Sequence, residues 1–333
     1  MLVMKFGALT AVSVVALVYS TSAAAKTVPT PVGPVDNTCV HKVPNNAFVD
    51  LATGAVTLSG SVVAQYDPPC AVSWAPNVIQ GKGDASGGRG GSTAFWYDFS
   101  LGQATTINGL TQFNLLEVEW VVPPAPQNQD GSILYLFPAF ENLSNPNNIN
   151  SWVSIFQPII QWGLNDIGDG GEYWLLQGMA VVNGGGVFVS ENSYHVYPND
   201  IIYGYIYQYQ TNPDAWTIFA WDETQDEAAI FSAGVPNSWP KFNLVTMATI
   251  EGYGEQSESG PLNHCSDLPY NVGVQFSALS LTEAGPSWNT QNNACSSVSW
   301  GFFANLFGFS PSCSWNISSG SCGGATLEWW PLP

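Results

Sequence analysis

The feature that most constrains this chain is a succession of aromatic and β-branched runs, each closed by turn residues, with no segment that sustains a helical period. The runs are Phe113 to Val122, Ile133 to Phe140, Trp152 to Trp162, Tyr173 to Val182, Val187 to Tyr197, Ile201 to Gln210, Ala215 to Trp221, Val245 to Tyr253 and Val272 to Leu281. Clusters such as Asn183 to Gly186 and Pro198-Asn199-Asp200 separate them. So many strands expose too many edges for one open sheet, and stacking two sheets meets that problem. The pattern predicts an all-β chain folded as an antiparallel two-sheet β-sandwich.

The ends read differently. Residues 1–25 carry one charged side chain, Lys5, then an apolar run from Phe6 to Val18 and the small residues Ala23-Ala24-Ala25, which together read as a secretory signal. Residues 26–92 read as an N-terminal extension, a propeptide or added strands, with Pro29, Pro31, Pro34 and Pro44 near its start. Its Gly81 to Gly91 run reads as a linker or loop, while Ala55 to Ala64 alternates as a strand would. Residues 93–282 are expected to form the sandwich, a concanavalin-like jelly roll. Residues 283–333 are read as a disulfide-stapled tail with a final strand at Ala325 to Trp330.

Secretion suits the cysteines. Cys39, Cys70, Cys265, Cys295, Cys313 and Cys322 are an even set, so disulfides are expected, and proximity suggests Cys39 with Cys70, Cys265 with Cys295 and Cys313 with Cys322. Asn142-Leu143-Ser144 and Asn316-Ile317-Ser318 are glycosylation acceptor motifs at Asn142 and Asn316. With 25 acidic and 6 basic residues, the chain lacks the basic surface that nucleic acid demands. The imbalance suits an acidic milieu, where protonation relieves carboxylate repulsion. No later run is long and apolar enough to span a membrane. No cysteine spacing reads as a zinc site, and His41, His195 and His264 are the only imidazoles, so no metal or cofactor is expected. A secreted monomer is the simplest expectation.

There is no Gly-x-Ser-x-Gly elbow, and paired cysteines leave no thiol nucleophile. Hydrolytic chemistry would then use carboxylates for proton transfer and amides as oxyanion donors. Gln157 and Gln161 lie four residues apart on one apolar run, so a regular strand presents both on one face. Thr249, Glu251 and Tyr253 likewise share a face opposite Ile250, where partial desolvation would raise a carboxyl pKa.

These segments resemble the eqolisin, or glutamic peptidase, family. Its catalytic glutamine lies in a strand of the type Ile-Leu-Gln-Thr-Gly followed by aromatic residues, similar to Ile155-Phe156-Gln157, Gln161-Trp162 and then Gly170-Gly171-Glu172-Tyr173-Trp174. Its catalytic glutamate lies in an Ile-Ile-Glu-aromatic context, similar to Thr249-Ile250-Glu251-Gly252-Tyr253. Leu116 to Pro123 and Tyr197 to Ile202 resemble two further family segments. The family's Trp-Val-Gly-Ile-Asp-Gly stretch is replaced by Leu136 to Glu141, and Pro158 stands where the family has Thr. The resemblance implies a secreted acid endopeptidase acting on polypeptides. Gln157 and Glu251 would be its catalytic pair, with Gln161, Trp162, Trp174 and Tyr253 lining the substrate path.

Two other classes fit the same residues. Fourteen tryptophans, 13% aromatic residues and the carboxylates Glu117 and Glu119, two apart on one strand face, also suit a glycosidase or lectin. A non-catalytic surface protein, with the aromatics as core, is the third. In that reading His195 and His264 are structural.

Overall fold

The computed structural model describes residues 27–28, 35–66, 96–104, 112–129, 131–144, 152–164, 170–183, 185–209, 212, 214–254, 261–269, 273–284, 291–293, 295, 298–304 and 313–331. The early strands are β1 (Thr27–Val28), β2 (Val35–Asp36), β3 (Val40–Val43), β4 (Phe48–Asp50), β5 (Ala55–Leu58), β6 (Ser61–Gln65), β7 (Trp96–Ala104) and β8 (Phe113–Val121). Next come β9 (Ile133–Leu136), β10 (Ala139–Leu143), β11 (Trp152–Trp162), β12 (Trp174–Val182), β13 (Gly186–Ser190), β14 (Tyr194–Val196), β15 (Ile201–Gln208) and β16 (Ala215–Asp222). The last are β17 (Glu227–Gly234), β18 (Phe242–Tyr253), β19 (Gly273–Ala284), β20 (Gln291–Asn293), β21 (Val298–Ala304), β22 (Cys313–Ser319) and β23 (Ala325–Pro331). The helices among the described residues are short 3-10 turns, and none is long and apolar enough to cross a membrane.

Two large sheets make a β-sandwich. Sheet one runs β21-β7-β18-β10-β11-β12-β13-β3, with β9 continuing the lane of β10 between β11 and β18, and β14 on β12. Sheet two runs β22-β23-β19-β8-β15-β16-β17-β4-β5-β6, with β20 on β19. Pairing is antiparallel except where β3 joins β13 and β4 joins β17 in parallel. Residues 40–50 thus feed one strand to each sheet, β3 at the edge of sheet one and β4 between β17 and β5 of sheet two.

The inner faces meet through rings. Phe156 and Phe140 of sheet one contact Trp216 of sheet two edge-on at 6.3 and 6.1 Å, and Phe242 packs between them. Pro158 also points inward: a Cβ at Gly204 of β15 would come 2.8 Å from its ring and 2.7 Å from Trp120. Only glycine fits between those two rings. These contacts fix the outer face of β11 as the one bearing Ile155, Gln157, Ile159 and Gln161, because side chains alternate along a strand.

Several expectations are corrected. Cys265 pairs with Cys313 and Cys295 with Cys322, at Cα separations of 5.5 and 4.6 Å. Proximity along the chain misled because the β22–β23 hairpin folds back over the Cys265 segment, where Trp329 Nε1 donates to Pro269 O. Cys39 is disulfide-bonded, and Cys70 lies outside the described residues. Asn142 is wholly buried, its Oδ1 accepting from Ser154 and its Nδ2 donating to Pro240 O, so no glycan fits there in the folded chain. Asn316 is exposed on the edge strand β22.

Candidate active site

Glu251 reaches Gln161 through a row of directly opposed residues. On β9, Tyr135 pairs with Gln161 of β11 on one side and with Glu251 of β18 on the other. Directly opposed residues project from the same face, and for Gln161 that is the outer face of sheet one. Two strand spacings, about 10 Å between Cα atoms, separate Gln161 from Glu251. All three side chains are fully buried.

Each is held by neighbours. Tyr253, two residues beyond Glu251 on the same face, donates its hydroxyl to Glu251 Oε1 at 2.5 Å. Gln161 Nε2 donates to Gly163 O at 3.0 Å. Gly163 and Gly170 both have left-handed φ values, +91° and +101°, and Gly163 N donates to Gly171 O. A Cβ on Gly170 would collide with Gly163 O and come 2.7 Å from Gln161 Nε2, so glycine at 170 leaves room for the amide. Burial pushes the Tyr135 phenol well above its ordinary pKa, with the Glu251 carboxylate adding to the rise. The Tyr97 phenol is raised mainly by burial too, although it accepts from Leu262 N.

Gln157 shares the outer face but not the row. It pairs with Met179 of β12 and lies four residues from Gln161, about 13 Å along the strand. Its amide is fully buried, and neither polar atom meets a protein partner. Gln177 of β12, opposite Ile159 on the same face, is buried and unpartnered in the same way. Farther along that face, Glu141 of β10 is buried, and Thr246 Oγ1 donates to its Oε1 at 3.0 Å. Burial raises its pKa to about 7, against a smaller lowering by the Thr246 bond.

Trp162 and Trp174 oppose one another with ring centroids 5.6 Å apart, and Trp174 Nε1 donates to Pro124 O. Both face away from Gln161: Trp162 follows it in an uninterrupted strand and therefore points inward, and Trp174 opposes Trp162 in the core. His195 lies against Tyr173 at a centroid distance of 3.6 Å, and His264 starts the turn capped by Asp267. Among the described residues no three His, Cys, Asp or Glu side chains cluster as a metal site would require. Sequence reasoning missed Tyr135 as part of the row. The local sign at Gln161 is Gly163, two residues on, whose carbonyl accepts from the amide.

No family model and no curated protein matches the sequence. The fold is similar to that of solved structures. Scytalido-glutamic peptidase with a transition state analog inhibitor aligns with a TM-score of 0.42 at 12% identity, over 71% of this chain and 98% of that one. SCP-B, a member of the eqolisin family of peptidases in complex with the tripeptide Ala-Ile-His, aligns at 0.42 and 13%, over the same shares. The structure resembles these peptidases. The CBM2 module of the evolved Dit of Lactobacillus casei BL23 phage J-1 aligns at 0.24 and 9%, over 46% of this chain and 67% of that one.

Proposed function

We propose that the protein is a secreted, acid-acting endopeptidase in which Glu251 and Gln161 activate water against a peptide bond. The observation that carries this is the row Gln161, Tyr135, Glu251 on one sheet face, with Tyr253 fixed on the carboxylate. Glu251 takes a proton from water as the oxygen attacks the scissile carbonyl, then passes it to the leaving amine. Gln161 directs an amide N–H at the oxyanion, a stabilisation worth about 3 kcal/mol where such donors have been removed. Gly163 O fixes the plane of that amide. Tyr135 forms the floor between the two groups. In this reading Gln161 takes the role that the sequence alone suggested for Gln157, because Gln157 is about 13 Å from the row.

A polypeptide reaches a fully buried row only when the outer face opens. We therefore read the chain as a latent form whose outer face must open before cleavage. The test is proteolysis of an unfolded protein after incubation near pH 3–4, roughly the range of carboxyl pKa values. Glu251→Gln and Gln161→Met should each abolish cleavage while Gln157→Met retains it. Undiminished cleavage by Glu251→Gln would end the peptidase reading, and loss with Gln157→Met alone would return the role to Gln157.

A further inference from the structure

The outer face of sheet two carries a feature that peptide hydrolysis does not use. Along β15 the inward positions are Ile202, Gly204 and Ile206, so Tyr203, Tyr205 and Tyr207 all project outward, where they are half-buried. Phe219 and Trp221 of β16 stand directly beside Tyr205 and Tyr203. These rings floor an open groove of about 700 Å³, within the ~300–1,000 Å³ range of small-ligand sites. The three tyrosines span about 13 Å of strand. Contiguous apolar surface rimmed by polar residues marks ligand-binding grooves.

The rim selects the ligand class. Glu117 and Glu119 of β8 oppose Tyr205 and Tyr203 on one side, and Glu223 and Asp226 of the β16–β17 turn lie on the other. Among the described residues no Lys or Arg lines the groove. The complement is a molecule with C–H faces for the rings and hydrogen-bond donors at its edges for the carboxylates. A polyanion is repelled. A cationic peptide would be held at the rim by charge alone, and salt would release it. A pyranose chain has apolar ring faces, hydroxyl edges and no charge.

We propose that this groove binds a neutral polysaccharide in extended form, anchoring the protein by the sheet face opposite the Gln161–Glu251 row. The proposal does not rest on the peptidase reading, since the two surfaces lie on opposite outsides of the sandwich. The test is titration calorimetry of the full chain with laminarihexaose, cellohexaose and chitohexaose, and with a Lys/Arg-rich peptide, at low and high salt.

At least one hexasaccharide should bind with an affinity insensitive to salt. Trp221→Ala and Tyr205→Ala should each weaken it ~10-fold or more, while Tyr205→Phe, which keeps the ring, binds nearly as the parent does. Should the alanine variants melt early, Glu117→Gln with Glu119→Gln replaces two charged acceptors by neutral ones without touching the core, and affinity should fall several-fold. Failure of all three sugars to bind would overturn the proposal. So would an affinity unchanged in these variants, or salt-released binding of the basic peptide alone.

Discussion

Replacing Glu141 by glutamine should make the protein more stable at neutral pH and leave it unchanged in acid. The side chain is buried on the outer face of sheet one, with Thr246 Oγ1 as its hydrogen-bond donor. Burial raises it from 4.5 to about 7. Below pH 4.5 both folded and unfolded chains hold the proton, and the group costs nothing. As pH rises from there the unfolded chain releases its proton while the native state keeps it, so unfolding gains free energy until the native group also ionises near 7. The gap between 4.5 and about 7, at ~1.4 kcal/mol per pH unit, amounts to roughly 3 kcal/mol lost by the native state above neutrality. Glutamine at 141 keeps an acceptor for Thr246 and has no proton to lose. Calorimetric melts across the pH range should coincide for parent and variant near pH 4. At pH 8 they should differ by roughly 6–12 °C, taking ~2–4 °C per kcal/mol for a domain of this size. Parallel curves for the two proteins would refute the assignment of this pH dependence to Glu141.

Gly170→Ala should reduce proteolysis by roughly a hundredfold through displacement of the Gln161 amide, whereas Gly131→Ala, whose φ is also positive but which has open space around it, should not; kcat on an unfolded substrate reads both. Gln157→Met replaces a buried, unpartnered amide with an apolar chain of the same length, and should raise stability by about 1–2 kcal/mol in urea titration. Asp222, which accepts from Thr224 N and Gln225 N, is raised to about 6 chiefly by burial, with the neighbouring Asp200 adding to it. Asp222→Asn should therefore remove a loss of stability that sets in as pH rises from 3.8 toward 6, visible as a flatter plot of melting temperature against pH.

The strands were legible because burial on at least one face enforces aromatic and β-branched side chains. Trp152–Trp162 coincides with its sequence run, and Ile201–Gln208 and Ala215–Asp222 differ from theirs by one or two residues. The Ile133 to Phe140 run is broken after Leu136, where Phe137-Pro138 separate β9 from β10, since proline cannot donate to the ladder. Ala55 to Ala64 is a hairpin turning at Ser59-Gly60, both at positive φ. Residues 283–333, expected as a stapled tail with one final strand, also hold β20, β21 and β22, and the Ser- and Asn-bearing Cys313–Ser319 suits the sheet edge that it forms more than a core. At the site, alternation placed Gln157 and Gln161 on one face and already implied that Trp162 faces the other way. It could not say which glutamine stands opposite the glutamate, because that depends on register with a strand elsewhere in the chain.

The same limit applies more sharply to Glu251, whose face is decided by a bulge. Phe140 points into the core, so Ala139 and Glu141 point outward, and with them their partners Thr246 and Leu244. Strict alternation from Thr246 would bring Ile250 to the outer face and drive Glu251 between the sheets among aromatic rings, where a carboxylate has no water and few partners. Between Thr246 and Ala248 the pairing with β7 slips by one residue. That extra residue resets the phase, so Glu251 joins Tyr135 and Gln161 on the outer face and Ile250 returns to the core side. Bulges of this kind recur beside functional sites because one inserted residue re-aims every side chain after it. Within Thr249 to Tyr253 the alternation seen in the sequence holds, yet nothing in those five residues states which face of the sheet they serve.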